Sequence, residues 1–242
     1  FDGVTFTYPT GGAPALSDIT FALGHGKTLG IIGGTGSGKS TLISLIPRFY
    51  DVTDGAVKVD GCDVKDFPLQ TLRGKIGLVP QKAVLFLGTI RDNLRWGKEN
   101  ATDEELYEAL RAAQALEVVE GKPKGLDDPV ETGGRNFSGG QRQRLTIARA
   151  LVRRPELLIL DDSASALDFA TDAALRRALR ELPWHPAVVI ISQRTASIRF
   201  ADEILVLDDG RLAGKGTHDE LLETCEVYRE IYESQFKKED AR

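Results

Sequence analysis

Methionine is absent from the 242-residue sequence, which has only two cysteines, three histidines and two tryptophans. Cys62 and Cys225 are far apart and form no CxxC spacing, which argues against a disulfide framework or a structural zinc site and suits a reducing compartment. No apolar run approaches the roughly 20 residues of a membrane-spanning helix, and no signal peptide opens the chain. Because the chain starts at Phe1 without an initiator, we expect it to be a piece of a longer protein.

The sequence also has no excess of basic over acidic residues. Lys and Arg number 31 against 36 Asp and Glu, so the formal net charge is −5. This balance lacks the footprint of a nucleic-acid-binding protein, and we expect no nucleic-acid partner. The chain is 41% hydrophobic and 28% charged, a balance that is typical of a folded globular domain and excludes intrinsic disorder.

Short β-branched runs alternate with helical patterns along the chain. Two of these runs, Leu157–Leu160 and Val188–Ile191, are apolar at every position, as in strands that helices cover on both faces. The predicted strands are Val4–Thr7, Ile19–Leu23, Thr28–Ile32, Ala56–Val59, Ile76–Val79, Leu157–Leu160, Ala187–Ile191 and Ile204–Leu207. The predicted helices are Lys39–Pro47, Asp103–Gln114, Gly139–Arg153, Thr171–Leu182 and His218–Ser234. The alternation predicts an α/β fold with a mainly parallel sheet.

We expect one domain over residues 1–242. It opens with an antiparallel β segment from Val4 to Ile32, and its core comprises residues 1–86 and 154–242. The stretch from about 87 to 153 is rich in helical patterns and is predicted to be an inserted helical subdomain.

A glycine-rich motif follows the predicted strand Thr28–Ile32. Residues 33–40 fit GxxxxGK[ST], in which glycines let backbone N–H groups converge on an anion and the following helix adds its positive end. Lys39 is expected to reach the β- and γ-phosphates, and Ser40 to offer its hydroxyl to Mg²⁺. A plain glycine-rich turn is the alternative, which the flanking strand and helix disfavour. The candidate nucleotide-binding residues here are Gly33, Gly34, Thr35, Gly36, Ser37, Gly38, Lys39, Ser40 and Thr41.

Two carboxylates, Asp161 and Asp162, follow the buried strand Leu157–Leu160. A carboxylate at the carboxyl end of such a strand is placed to hold Mg²⁺ through water. The alternative is a solvated acidic turn, which the four preceding apolar residues disfavour.

Residues 136–144, Asn-Phe-Ser-Gly-Gly-Gln-Arg-Gln-Arg, resemble the LSGGQ signature of ABC transporter ATPases, with Phe137 in place of the usual Leu. The resemblance covers the whole chain and its motifs occur in the family's order. Tyr8 resembles the aromatic residue that stacks on adenine, and Gln81 resembles the glutamine of the Q-loop. Residues 163–168, Ser-Ala-Ser-Ala-Leu-Asp, resemble the D-loop.

The resemblance implies the ABC ATPase fold: a P-loop NTPase core, an antiparallel β subdomain and an inserted helical subdomain. It implies ATP and Mg²⁺ as cofactors, with Ser40, Gln81 and Asp161 as metal-site residues and Tyr8 among the ATP contacts. Two such domains form a head-to-tail dimer around two ATP molecules. The residues expected to act across that dimer are Ser138, Gly139, Gly140, Gln141 and Asp168. Taken alone, Ser-Gly-Gly could equally be a helix cap and turn.

Two positions depart from the family's pattern. The family usually has Glu where this chain has Asp162, and His where it has Gln193 after the strand Ala187–Ile191. Asp is one methylene shorter, and Gln carries no proton near neutral pH. Together these changes resemble the degenerate site of heterodimeric ABC exporters. The expected catalytic residues are therefore Asp162, Gln193, Gln81 and Lys39, in a site that hydrolyses ATP slowly while the intact signature serves the partner's site.

The resemblance predicts the ATPase motor domain of an exporter, at the cytoplasmic face of a membrane. Its partners would be a second nucleotide-binding domain and transmembrane domains that lie outside this chain, the fragment itself being soluble. One alternative is an ATP-binding module that hardly hydrolyses and mainly controls dimerisation. Another is a soluble ABC protein of DNA repair or translation, which the short stretch between Gln81 and Ser138 and the single domain disfavour.

Overall fold

The computed structural model describes residues 1–163 and 165–236. It divides into two compact units. The first combines Phe1–Lys75 with the chain from Val188 onward, and the second is Ile76–Ala187. Strands and helices are numbered below in chain order through both units.

Two β-sheets and a hairpin build the first unit. Its strands are β1 (Asp2–Phe6), β2 (Leu16–Ile19), β3 (Thr28–Gly33), β4 (Asp54–Ala56), β5 (Lys58–Val59), β6 (Cys62–Asp63), β11 (Ala187–Ile191), β12 (Glu203–Asp208) and β13 (Arg211–Gly216). One antiparallel sheet has the order β2-β1-β4, and β5 pairs with β6. In the other sheet β3 is parallel to both β11 and β12, and β13 is antiparallel to β12.

Within residues 1–75 and 188–236, the described part of the first unit, there are five α-helices. They are α1 (Lys39–Leu45), α2 (Leu69–Lys75), α8 (Thr195–Ile198), α9 (His218–Thr224) and α10 (Glu226–Phe236). The core lies on β3 and β12, where Leu29, Ile31, Ile32, Leu205 and Val206 are at most 1% exposed. These continuous apolar runs are what strands covered on both faces require.

The second unit is mainly helical, with two parallel strands and a two-residue ladder. Its strands are β7 (Ile76–Val79), β8 (Gly88–Thr89), β9 (Pro129–Val130) and β10 (Leu157–Asp161). Its helices are α3 (Ile90–Arg95), α4 (Asp103–Ala112), α5 (Leu116–Glu120), α6 (Gly139–Leu151) and α7 (Phe169–Arg180). β7 runs parallel to β10, with Ile76 opposite Leu157 and Val79 opposite Leu160. The α/β architecture expected from the sequence is confirmed.

Some predicted element bounds are wrong. The strand predicted at Ile19–Leu23 lies at Leu16–Ile19, where it pairs with β1. Phe21, within the predicted range, lies beyond the strand and is buried, with its ring stacked on Phe1 at a centroid distance of 4.6 Å. The strand predicted at Ala56–Val59 is interrupted at Val57, whose carbonyl accepts from the Val64 amide at 2.9 Å.

The single helix predicted at His218–Ser234 is two helices, α9 and α10. Cys225 between them is extended, with φ −118° and ψ 108°. It is buried, and its Sγ lies 3.7 Å from the Ala213 carbonyl oxygen of β13. Packing of Cys225 against the sheet therefore overrides the continuous helical pattern. The strand β13 and the short helices α2, α3, α5 and α8 were not predicted, because they lack long periodic patterns.

None of the helices in the described ranges has the length and apolar character needed to cross a lipid bilayer.

Candidate nucleotide-binding site

The glycine-rich loop runs from the end of β3 to the start of α1, as the motif predicts. A Cβ atom at Gly33 would lie 2.1 Å from the Leu207 carbonyl oxygen, so the end of β3 can approach β12 this closely only with glycine. Gly38 has φ +98°, and its Cβ would lie 2.7 Å from Leu16 Cδ2. Residues 34–36 between these two points are exposed, so the surface of the loop is largely backbone.

Lys39 lies inside this loop. Its side chain is buried, and Nζ donates to the Gly33 carbonyl at 2.8 Å, the Gly34 carbonyl at 2.6 Å and Ser37 Oγ at 3.3 Å. The ammonium group thus donates to three oxygens of the loop and stabilises its turn. A positive charge is thereby fixed at the centre of an exposed backbone concavity, which suits an anionic ligand.

Tyr8 and Thr41 were singled out separately from the sequence, and the structure brings them together. Tyr8 Oη and Thr41 Oγ1 are 3.0 Å apart. The Tyr8 ring packs edge-on against Phe6 at 4.8 Å and Tyr50 at 5.3 Å. A half-buried aromatic ring is therefore held in place beside the first turn of α1.

Gln193 is exposed and follows β11. The preceding Ser192 is 1% exposed, and its Oγ accepts from the Arg194 amide at 2.9 Å. The Gln193 carbonyl accepts from Gln235 Nε2 at 2.7 Å. Gln235 lies on α10 and was missed by sequence reasoning, because no local pattern links it to a residue so far back in the chain.

In the second unit, the parallel pairing of β7 and β10 brings Gln81 to Asp162. Each residue lies just beyond the carboxyl end of its strand, and parallel strands place these ends at one edge. Gln81 Nε2 donates to Asp162 Oδ2 at 3.3 Å. Asp162 adopts a left-handed conformation, with φ 45°, and its carbonyl accepts from the Ser165 amide and hydroxyl. Asp161 is half-buried at the end of β10.

The signature residues begin α6. Ser138 is its N-cap: Ser138 Oγ accepts from the Gln141 amide at 3.2 Å, and Gln141 Oε1 accepts from the Ser138 amide at 3.0 Å. This capping box fixes the helix start, while Ser138 and Gly139 remain exposed. A Cβ at Gly139 would meet nothing within 4 Å, whereas one at Gly140 would lie 3.2 Å from the Ala166 carbonyl oxygen. The positive end of α6 therefore faces outward at Gly139.

Asp168 is the N-cap of α7. Its carboxylate accepts from the Thr171 amide at 2.9 Å and from Thr171 Oγ1 at 2.8 Å, and these bonds hold the pKa of Asp168 below its ordinary 3.8. The predicted D-loop runs from residue 163 to Asp168, and Ala164 within it lies outside the described residues.

Sequence reasoning also missed the role of Arg149 on α6. Its Nη2 donates to the Val84 carbonyl at 2.9 Å and to Asn93 Oδ1 at 3.1 Å, and its guanidinium lies 5.2 Å from the Phe86 ring centroid. Burial lowers the pKa of Arg149 to about 10. Arg149 thus ties α6 to the segment that follows Gln81. Arg142 and Arg153 lie on the same side of the helical pattern, so the sequence contains no signal that singles out Arg149.

The predicted site residues are divided between the two units. The first unit contains Tyr8, the loop residues Gly33–Thr41 and Gln193, and the second contains Gln81, Asp161, Asp162, Ser138–Gln141 and Asp168. Over the described part of the chain, no cluster of three or more His, Cys, Asp or Glu residues could by itself hold a metal ion.

The sequence is similar to known proteins over nearly its whole length. The ABC transporter family profile matches residues 16–165. An uncharacterized ABC transporter ATP-binding protein of Mycobacterium tuberculosis is 48% identical over 236 residues, which are 96% of this chain and 40% of that protein. An ATP-dependent lipid A-core flippase of Chromobacterium violaceum is 44% identical over 241 residues, which are 100% of this chain and 41% of that protein.

A solved structure is also similar. A bacterial Atm1-family ABC exporter with ATP bound matches with a TM-score of 0.92 and 36% identity, over 97% of this chain and 41% of that one. The chain thus spans about two fifths of the length of the relatives it matches. Because the family profile covers more than half of the sequence, this chain belongs to the ABC transporter family, and it is an ATP-binding ATPase domain of that family.

Proposed function

We propose that this chain is the motor domain of a membrane exporter and binds Mg-ATP through residues Gly33–Thr41 and Tyr8. The arrangement of Lys39 supports this proposal. Its ammonium lies within hydrogen-bonding distance of three loop oxygens and can exchange them for phosphate oxygens without a large movement. The half-buried ring of Tyr8, tied to Thr41, offers adenine a flat apolar surface.

The chemistry of the donor set fits magnesium. Ser40, Asp161 and Gln81 offer a hydroxyl, a carboxylate and an amide oxygen, which are hard ligands of the kind Mg²⁺ prefers. Mg²⁺ is usually held by one or two carboxylates together with substrate phosphates and water, so a site with few protein carboxylates is sufficient. When bound, the ion would neutralise charge on the phosphates. The protein's own groups would bind the triphosphate and orient the attacking water.

We propose that this chain's own site hydrolyses ATP slowly. The observation that carries this proposal is the combination of Asp162 and Gln193 with an intact, capped signature at Ser138–Gln141. The Asp162 carboxylate is shorter by roughly 1–1.5 Å than Glu, and a misplacement of that size costs about 10²-fold in rate. Its Oδ2 also accepts a hydrogen bond from Gln81 Nε2, so one of its two oxygens is already engaged. Gln193 can donate and accept hydrogen bonds but cannot store a proton near neutral pH.

The same combination favours a heterodimer at the cytoplasmic face of a membrane. The outward-facing N-terminus of α6 would stabilise the γ-phosphate in the site of a second nucleotide-binding domain. That second site would perform most of the hydrolysis, and transmembrane domains would convert the cycle of association and separation into transport. The lipid A-core flippase and the exporter among the relatives support this direction of transport.

The test compares ATP turnover of the purified chain alone with turnover after mixing with a second, complete nucleotide-binding domain. We expect ATP binding in calorimetry, slow turnover alone, and faster turnover in the mixture. Rapid turnover by the chain alone would contradict the slow-site proposal, and no heat of ATP binding would contradict the whole proposal. The second candidate, a regulatory module without hydrolysis, is favoured by the same two residues. It predicts no turnover at all in this chain's site.

A further inference from the structure

The C-terminal helix α10 is firmly anchored in the first unit. Tyr228 on its first turns is 0% exposed, and its Oη is 2.8 Å from His218 Nδ1 on α9. The anchoring fixes the axis of α10 relative to the neighbouring β-strands. Gln235, two turns further along the same helix, is thereby held at the loop that follows β11.

Gln235 uses both ends of its side-chain amide on this loop. Its Oε1 accepts from the Thr195 amide and from Thr195 Oγ1, both at 3.0 Å. Its Nε2 donates to the Gln193 carbonyl at 2.7 Å. Thr195, the first residue of α8, is 1% exposed, so the two bonds to Thr195 form where water competes poorly. The bond to the carbonyl of Gln193 lies at the exposed surface of the same loop. The three bonds hold the backbone on both sides of Arg194.

We propose that Gln235 is a positioning residue for ATP hydrolysis: it fixes the backbone at Gln193 and so sets where the Gln193 side chain lies. This inference rests on the proposed function, in which Gln193 stands where the family's histidine orients the attacking water. Gln235 does not itself contact nucleotide in this scheme. It acts through the Gln193 carbonyl and through the start of α8 at Thr195.

The three hydrogen bonds of Gln235 require a glutamine side chain at this position. Asn is one methylene shorter and cannot reach from α10. Glu keeps the acceptor for Thr195 but loses the donor, and it places a carboxylate oxygen 2.7 Å from the Gln193 carbonyl, where the two repel. Gln235→Ala removes all three bonds, and Gln235→Glu removes only the bond to Gln193. Ser234→Ala is the matched control, since Ser234 Oγ bonds within α10 to the Ile231 carbonyl.

The experiment measures two quantities in the whole chain and in these three variants. One is hydrogen–deuterium exchange of residues 192–198, and the other is kcat and KM for Mg-ATP. We expect Gln235→Ala to raise exchange by about tenfold or more, as the loss of buried hydrogen bonds does. We expect kcat to fall about tenfold or more, while KM changes less than about twofold because the loop Gly33–Thr41 is unaltered. Gln235→Glu should lower kcat similarly but leave the Thr195 amide protected.

The inference is overturned if Gln235→Ala binds ATP normally and keeps kcat within about twofold of the unaltered chain. It is also overturned if exchange at residues 192–198 does not change, or if Ser234→Ala has the same effects. Failure of the proposed function looks different. In that case the unaltered chain binds no ATP or turns it over rapidly, before any variant is compared.

Discussion

Gln81 and Asp162 are joined by a hydrogen bond of 3.3 Å from Nε2 to Oδ2. Both residues were expected to take part in hydrolysis, and the parallel pairing of β7 and β10 is what brings them together. The bond gives the short Asp162 carboxylate a partner within its own unit. One of the two carboxylate oxygens of Asp162 is therefore already engaged by Gln81.

A longer acid at position 162 together with a histidine at position 193 should raise the rate of ATP turnover. We expect Asp162→Glu combined with Gln193→His to increase kcat of a dimer of this chain about 10²-fold, because both changes improve the placement and activation of water. Steady-state ATPase assays measure it. Asp209→Glu is the matched control, since Asp209 is exposed and has a similar φ of 42°. An unchanged rate in the double variant would contradict our interpretation of both positions.

Removing the Lys39 ammonium should greatly weaken the binding of ATP. Each charge-assisted hydrogen bond contributes about 1.5–3 kcal/mol, so Lys39→Ala should raise the Kd for ATP by about a hundredfold or more. Calorimetric titration measures the change. Lys27→Ala is the control, because Lys27 forms an exposed ion pair with Asp202 at 3.0 Å. Equal affinity in the Lys39 variant would remove the main support for the phosphate site.

A charge at Gly139 tests the cross-dimer role of the signature. Space around Gly139 is open, and an acidic residue in the first turn favours a helix, so Gly139→Asp should fold normally. It should lower turnover at the partner's site at least about tenfold by repelling phosphate, and leave the ATP affinity of this chain nearly unchanged. Ser138→Ala should act in the same direction. A mixed-dimer ATPase assay measures both.

Gly139→Ala is the matched control for that experiment, since it adds a Cβ without charge. If Gly139→Asp weakened ATP binding to this chain and spared hydrolysis at the partner's site, the assignment across the dimer would be reversed.

Alkaline unfolding tests the anchor of α10. Burial, together with the charges of Tyr232 and Asp219, raises the pKa of Tyr228 from 10.0 to about 12. The folded state therefore favours the neutral phenol, and this stabilisation is complete below pH 10 and is lost as the pH rises through about 12. Tyr228→Phe should cost about 1 kcal/mol at pH 8 through the lost bond to His218.

Above pH 10 the stabilities of Tyr228→Phe and the unaltered chain should converge and then cross. The cost of ionising the buried phenol falls only on the unaltered chain and exceeds the roughly 1 kcal/mol of the lost hydrogen bond. Urea unfolding at a series of pH values measures the difference. A difference that stays constant from pH 8 to pH 12 would show that Tyr228 does not titrate with folding.

The local motifs could be predicted from the sequence because their chemistry is contained in a few consecutive residues. The loop Gly33–Thr41 after β3, the start of α6 at Gly139 and the strands Ile76–Val79 and Ala187–Ile191 all lie where the patterns place them. Glycines that must accept close neighbours or a positive φ, and apolar runs bounded by turn residues, leave little choice of local structure.

The contacts between distant residues were decided only by the tertiary structure. Tyr8 meets Thr41, Gln81 meets Asp162, and Gln235 meets the backbone of Gln193 only after strand pairing and helix packing have brought them together. The same packing breaks the predicted C-terminal helix at Cys225, since burial against β13 outweighs helix propensity there. Helix and strand propensities depend on a few neighbouring residues. The contacts between distant residues depend on how the whole polypeptide folds.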